Sequence, residues 1–254
     1  LGGFVDKFII SESEIDFAGN PKQMYLTSSV ISDLPYSEKI TVIQNKFSQI
    51  DKRLLFPIAK RIRWRKPLWR IQLKQRNSIL PILRSIETQG TLLFGDLDEF
   101  PNHSKLKHLI SLTSKNQWEV FALNQIQLVY NLRTKDGHTP WHGTIGCSIK
   151  KARNSTPNKL RKLRHNSENT EGGWHFSYFG NKNQIQKKIR SVAPVEKHFN
   201  LSNPSLEEVS DTIKSKANPF SKIKPDQIEI SIDEYPKELI SCFQQFMPSS
   251  LTNS

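Results

Sequence analysis

Asp96, Asp98 and Glu99 place three carboxylates within four residues, directly after the apolar run Leu92-Leu93-Phe94. Carboxylates this close repel one another when desolvated, so the cluster calls for a cation, and hard oxygen ligands select magnesium or manganese. An apolar run that ends in acids reads as a buried strand delivering them at its carboxyl end, where open α/β sheets bind ligands. Pro101 then stops the pairing. The competing reading is a solvated turn. A second concentration of chemistry is Gly172-Gly173-Trp174-His175-Phe176-Ser177-Tyr178-Phe179-Gly180. Aromatic faces with polar tips suit sugar rings and nucleobases, and glycine lets a ligand approach the backbone closely. Its competing reading is an aromatic core strand after a Gly-Gly bend.

These segments need elements to hold them. Pattern and propensity predict strands near 4–13, 39–46, 91–96, 119–132 and 175–179, and helices near 68–88, 104–114, 183–190 and 205–216. Leu73, Ile79, Leu80 and Leu83 recur at roughly helical spacing, which sets Gln72, Gln75, Arg76 and Arg84 on or beside a polar face, with Pro81 expected to kink that helix. Ser205 and Glu208 spell a capping box. The Asn-, Lys- and Ser-rich stretch 153–170 reads as a long mobile loop. Strands alternating with helices predict a Rossmann-like α/β layer in one domain over 1–246, with 247–254 a disordered tail.

Two further segments complete a recognisable order. Val5-Asp6-Lys7-Phe8-Ile9-Ile10-Ser11-Glu12-Ser13 is followed by Phe17-Ala18-Gly19-Asn20-Pro21-Lys22, then by a Trp-containing helix with Gln75-Arg76-Asn77, the Asp-Leu-Asp-Glu segment and the Gly-Gly-Trp-His block. Over 5–220 the chain resembles glycosyltransferase family 17, the group containing the enzyme that adds the bisecting N-acetylglucosamine to the core mannose of N-glycans. The resemblance implies a GT-A-like, Rossmann-type fold that binds UDP-N-acetylglucosamine or a related UDP-sugar, uses manganese or magnesium, and transfers the sugar to a glycan acceptor with inversion. Asp98 is then the first metal ligand and Asp96 a second ligand or a ribose contact, with Glu99 orienting either. Arg76 is a partner for the diphosphate or base, and Glu12 a receiver of uracil or ribose hydroxyls. Trp174 and Tyr178 would stack on donor or acceptor sugar. His175 is a metal ligand, a phosphate contact or a structural imidazole. The base that takes the acceptor proton is sought in Glu171 and Glu196.

The chain departs from the family pattern at three places. It has no initiating Met and opens almost directly on a strand, so the first strand of the fold is expected to be missing or altered. Pro194-Val195-Glu196-Lys197-His198 replaces a His-x-Glu element, and Ala217-Asn218-Pro219 replaces a Gly-x-Asp-like one. A catalytically impaired homologue is therefore an alternative.

Composition narrows the partners. Lys and Arg total 37 against 24 Asp and Glu, a formal charge of +13, which favours anionic partners without choosing among them. The clusters Lys60–Lys66, Lys150–Arg153 and Lys159–Arg164 read as solvated loops. A basic nucleic-acid module, suggested by Trp64 and Trp69 among arginines, and a metal-dependent hydrolase are the readings from other classes. Neither accounts for the Gly-Gly-Trp-His block as well. Cys147 and Cys242 fit no zinc spacing, and no run approaches the ~18 apolar residues of a membrane span. Three Asn-x-Ser/Thr matches, at Asn102, Asn154 and Asn200, leave the compartment open.

Overall fold

The strands of the computed structural model are β1 (Phe8–Ser13), β2 (Ile40–Asn45), β3 (Thr91–Phe94), β4 (Glu99–Pro101), β5 (Val120–Val129), β6 (Thr134–Asp136), β7 (Trp141–Ser148), β8 (Glu168–Ser177) and β9 (Gln227–Glu229). The structure describes residues 1–47, 66–115, 119–137, 140–192, 203–217, 227–229, 231 and 235–244. The expected tail at 247–254 lies outside them, as do Trp64 and the basic run before Lys66. The chain divides into one unit of 1–94, 103–120 and 145–163 and another of 95–102, 121–144 and 164–254.

In the first unit β1 and β2 run parallel, Phe8 opposite Ile40 through Ser13 opposite Asn45. The helix Lys66–Asn77 packs on them by Ile71, fully buried with Ile15 and Phe47. The Gln75 amide donates to Ser11 O at 2.8 Å and the Ser11 hydroxyl donates to Gln75 O at 2.7 Å, tying helix to strand. The single kinked helix expected over 68–88 is instead two, because Pro81 sits in the first turn of a second helix, Leu80–Ser85. There its missing N–H costs nothing. β3 pairs antiparallel with the second half of β7, Thr91 opposite Ser148, over a core of Cys147, Ala152 and Leu160 joined by Leu92 and Val120. The stretch expected as loop at 153–170 contains the helix Pro157–Leu163, which buries Leu160 and Arg161. β8 also begins early, at Glu168.

In the second unit β5 and β8 run parallel and β4 pairs antiparallel with β8. β6 pairs with β5, and β9 with β6. The helix Lys182–Val192 buries Ile185 and Ile189 against Val129, Tyr130, Tyr178 and Val209. Its start is a capping box: Asn181 Oδ1 accepts from Gln184 N at 3.1 Å and Gln184 Oε1 accepts from Asn181 N at 2.8 Å. The expected box at Ser205 and Glu208 is present with both bonds, opening the helix Leu206–Lys214. A second core gathers Leu128, Leu132, Trp174, Phe176 and Tyr235 against the helix Lys237–Gln244, with Phe176 and Phe243 rings 4.2 Å apart. The architecture is mixed α/β, in keeping with the expected Rossmann-like layer.

β7 was not foreseen, because Gly143 and Gly146 break its pattern. A Cβ at Gly143 would stand 1.7 Å from Gln125 Oε1, so the buried Gln125 side chain would have to shift to admit one.

Candidate active site

Glycine decides which face of β8 meets the acidic turn. Between Asn124 opposite Glu171 and Ile126 opposite Trp174, β8 carries one more residue than β5, a β-bulge at Gly172–Gly173. Gly173 has φ +124° and a Cβ on it would lie 2.0 Å from Phe100 O, so only glycine fits. The bulge precedes both Trp174 and Phe176, so regular alternation resumes and puts both rings in the core, with His175 and Ser177 on the opposite face. Glu99 of β4 stands opposite His175.

The acids sit on a turn closed by Glu99 N donating to Asp96 O at 3.0 Å, with Leu97 at its exposed tip. Glu99 points inward, its side chain fully buried. Oε2 accepts from Asp96 N at 3.0 Å, Oε1 accepts from Trp141 Nε1 at 3.0 Å, and Arg164 Nη1 lies 3.8 Å from Oε1. A carboxylate this deep persists only when paired and hydrogen-bonded. Trp141 in turn stacks on His175, centroids 4.4 Å apart and planes 11° apart, and the Arg164 guanidinium lies 5.0 Å from the Trp141 ring. Next to Trp141, His142 Nδ1 is 2.8 Å from Asn124 Oδ1, and its ring meets His165 edge-on.

Asp98 points the other way. Its Oδ2 accepts from Lys188 Nζ at 2.8 Å and its Oδ1 lies 3.6 Å from His175 Nε2. Burial alone would raise its pKa, but neighbouring His175 and the charge of Lys188 together hold the carboxyl well below the usual range. Lys188 reaches it because Ile185 and Ile189 fix the helix, and its Nζ lies 5.2 Å from the Tyr178 ring centroid. His175 Nδ1 is 3.4 Å from Ser177 Oγ.

The structure thus brings Asp96, Asp98, Glu99 and His175 together in the second unit. Trp174 is 6% exposed, its ring against Tyr235, and Tyr178 is 1% exposed against Tyr130; both are core rings here, closed to a stacking sugar. Glu171 is exposed on β8 just before the bulge. Glu196, with Pro194 and His198, lies outside the described residues. In the first unit, Glu12 is buried and accepts from Tyr25 N at 2.8 Å, Leu26 N at 3.1 Å and Lys22 Nζ at 3.4 Å, so both its oxygens anchor the segment after β1. Arg76 donates to Gln72 Oε1 at 2.9 Å, one helical turn back.

Sequence reasoning missed Trp141, His142, Arg164 and Lys188. Trp141-His142 next to Gly143 was a legible signal. Arg164 was hidden in a run read as solvated, and Lys188 only acquires meaning from its place beside buried Ile185 and Ile189.

Asp98 and His175 face one point and could share a divalent ion. Among the described residues no set of three His, Cys, Asp or Glu gathers as a metal site. An ion on these two residues would have to take its remaining positions from water and a ligand's phosphates, the manner of magnesium at phosphate sites. The pairs Asp98–Lys188 and Glu99–Arg164 cancel in charge, so they leave no surplus positive charge for a diphosphate.

Among known proteins, the family model described as glycosyltransferase family 17 matches residues 1–218. No curated protein and no solved structure matches this chain. A match over that share of the chain shows the family: the chain belongs to glycosyltransferase family 17.

Proposed function

We propose that this family 17 glycosyltransferase moves N-acetylglucosamine from a UDP-sugar to a hydroxyl of a glycan, with inversion at the anomeric carbon and with a divalent ion held by Asp98 and His175. The observation that carries the reading is the convergence of Asp98, His175 and Lys188 beside the Trp141–Arg164 wall. Departure of a nucleoside diphosphate builds negative charge on the leaving oxygen, and cations set there in advance lower the barrier. Lys188 and Arg164 supply two such charges, both already matched by carboxylates, and a divalent ion adds the surplus that the diphosphate requires.

The remaining roles fall to the protein. Glu99 fixes the turn and the Trp141 indole, which keeps Asp98 oriented while the ligand comes and goes. In an inverting displacement a carboxylate takes the acceptor proton as the new bond forms on the face opposite the leaving group. Glu171, exposed on β8, is the described candidate for that base.

The test is calorimetric titration of the full chain with UDP-N-acetylglucosamine, UDP-galactose, GDP-mannose and CMP-sialic acid, each with manganese and with chelator. Manganese-dependent binding of UDP-N-acetylglucosamine, weaker for the other donors, is the expected result. Equal binding of all four, or of none, would remove the donor assignment.

A further inference from the structure

The carboxylate assigned to the divalent ion already carries an ammonium. Lys188 Nζ lies 2.8 Å from Asp98 Oδ2, and the two side chains are 38% and 31% exposed. Both ends of the pair are partly open to solvent, so the ammonium can leave without unpacking the core. The backbone below it does not move so easily: Ile185 and Ile189, on either side of Lys188 in the helix, are buried at 2% and 0%. The mobile part is the four-carbon stem, whose ammonium carries three donors, of which Asp98 uses one.

Resting on the reading above, we infer that Lys188 is a displaceable counter-ion: it neutralises Asp98 in the metal-free protein and swings to a phosphate oxygen of the nucleoside diphosphate when a divalent ion takes the carboxylate. Charge decides for this exchange. With Lys188 on Asp98 the pair is neutral and offers the diphosphate nothing. With a divalent ion on Asp98, that centre carries one net positive charge and the released ammonium a second, which together match a diphosphate. Metal and nucleotide binding are then coupled through one side chain, each ligand favouring the other, as linkage demands.

The experiment measures manganese alone, by electron paramagnetic resonance of the free ion, and UDP at saturating manganese, by calorimetry. Wild type is compared with Lys188→Met, which keeps the stem over Tyr178 and removes the charge, with Lys188→Arg and with Asp98→Asn. Lys188→Met is expected to bind manganese alone at least tenfold more tightly than wild type, yet to bind UDP at least tenfold more weakly; Lys188→Arg restores most of the UDP affinity, and Asp98→Asn binds no manganese. Equal manganese affinity in wild type and Lys188→Met overturns the inference and leaves the donor reading standing. Unchanged UDP affinity in Lys188→Met overturns it equally. If wild type binds UDP in chelator as well as in manganese, the metal and the exchange both fall; if it binds no UDP at all, the functional reading falls with them. Melting curves of all four proteins show that each is folded when titrated.

Discussion

Glu99 and Trp141 hold one another, and the turn depends on both. Glu99→Gln keeps one acceptor but turns an amide donor toward either Asp96 N or Trp141 Nε1, leaving a buried donor facing a donor. Urea unfolding should show a loss of about 1–3 kcal/mol. Wild-type stability in the variant would mean that the carboxylate is not the organiser of the turn. The two thiols offer a second check. Burial pushes the Cys147 thiol up to about 12, outweighing nearby Lys151, whereas Cys242 is exposed. A disulfide-exchange reagent at pH 8 should therefore titrate Cys242 alone in the folded protein and both thiols in denaturant. Because the folded pKa lies above the unfolded one, the protonated Cys147 contributes its stability fully below the unfolded thiol's pKa, roughly 8.5, and loses it as pH rises toward 12. A denaturation midpoint that does not fall between pH 8.5 and 11 would argue against a buried thiol.

At the scale of elements, the bulge in β8 sorts core from site. Gly173→Ala must push its Cβ into Phe100 O and should cost roughly 3 kcal/mol or more; melting close to wild type would mean that the strand is straight. Trp174→Ala should cost about 3–5 kcal/mol and leave the UDP affinity of the folded protein unchanged, while His175→Ala should abolish manganese-dependent UDP binding. The reverse pattern, measured by calorimetry and urea unfolding, would place the site on the other face. The sequence made β1, β2, β3, β5 and the acidic turn legible, since apolar runs bounded by polar residues leave few alternatives. It named Asp96, Asp98 and His175. It could not show β7, where Gly143 sits against Gln125, a packing that strand propensity does not report. For Trp174 and Tyr178 the sequence left stacking and core packing open for a similar reason: side-chain direction after the bulge depends on a register shift that no local pattern encodes. Glu12 reads as a strand-end acid, yet its two oxygens are taken by backbone N–H groups thirteen and fourteen residues on.

At the scale of the molecule, the +13 charge draws anions of any kind, so attraction to polynucleotides at low salt would not discriminate between readings. The family match over residues 1–218 does discriminate, because it covers β1, the acidic turn and the Gly-Gly-Trp-His block in one chain. What remains is the reaction. The most direct measurement incubates the full chain with UDP-N-acetylglucosamine, manganese and a panel of N-glycan acceptors, and follows UDP release together with the anomeric proton signal of the product. UDP released in step with a β-linked N-acetylglucosamine, and lost in Asp98→Asn, is the result the account predicts. An α-linked product, or UDP release that persists unchanged in Asp98→Asn, would contradict it.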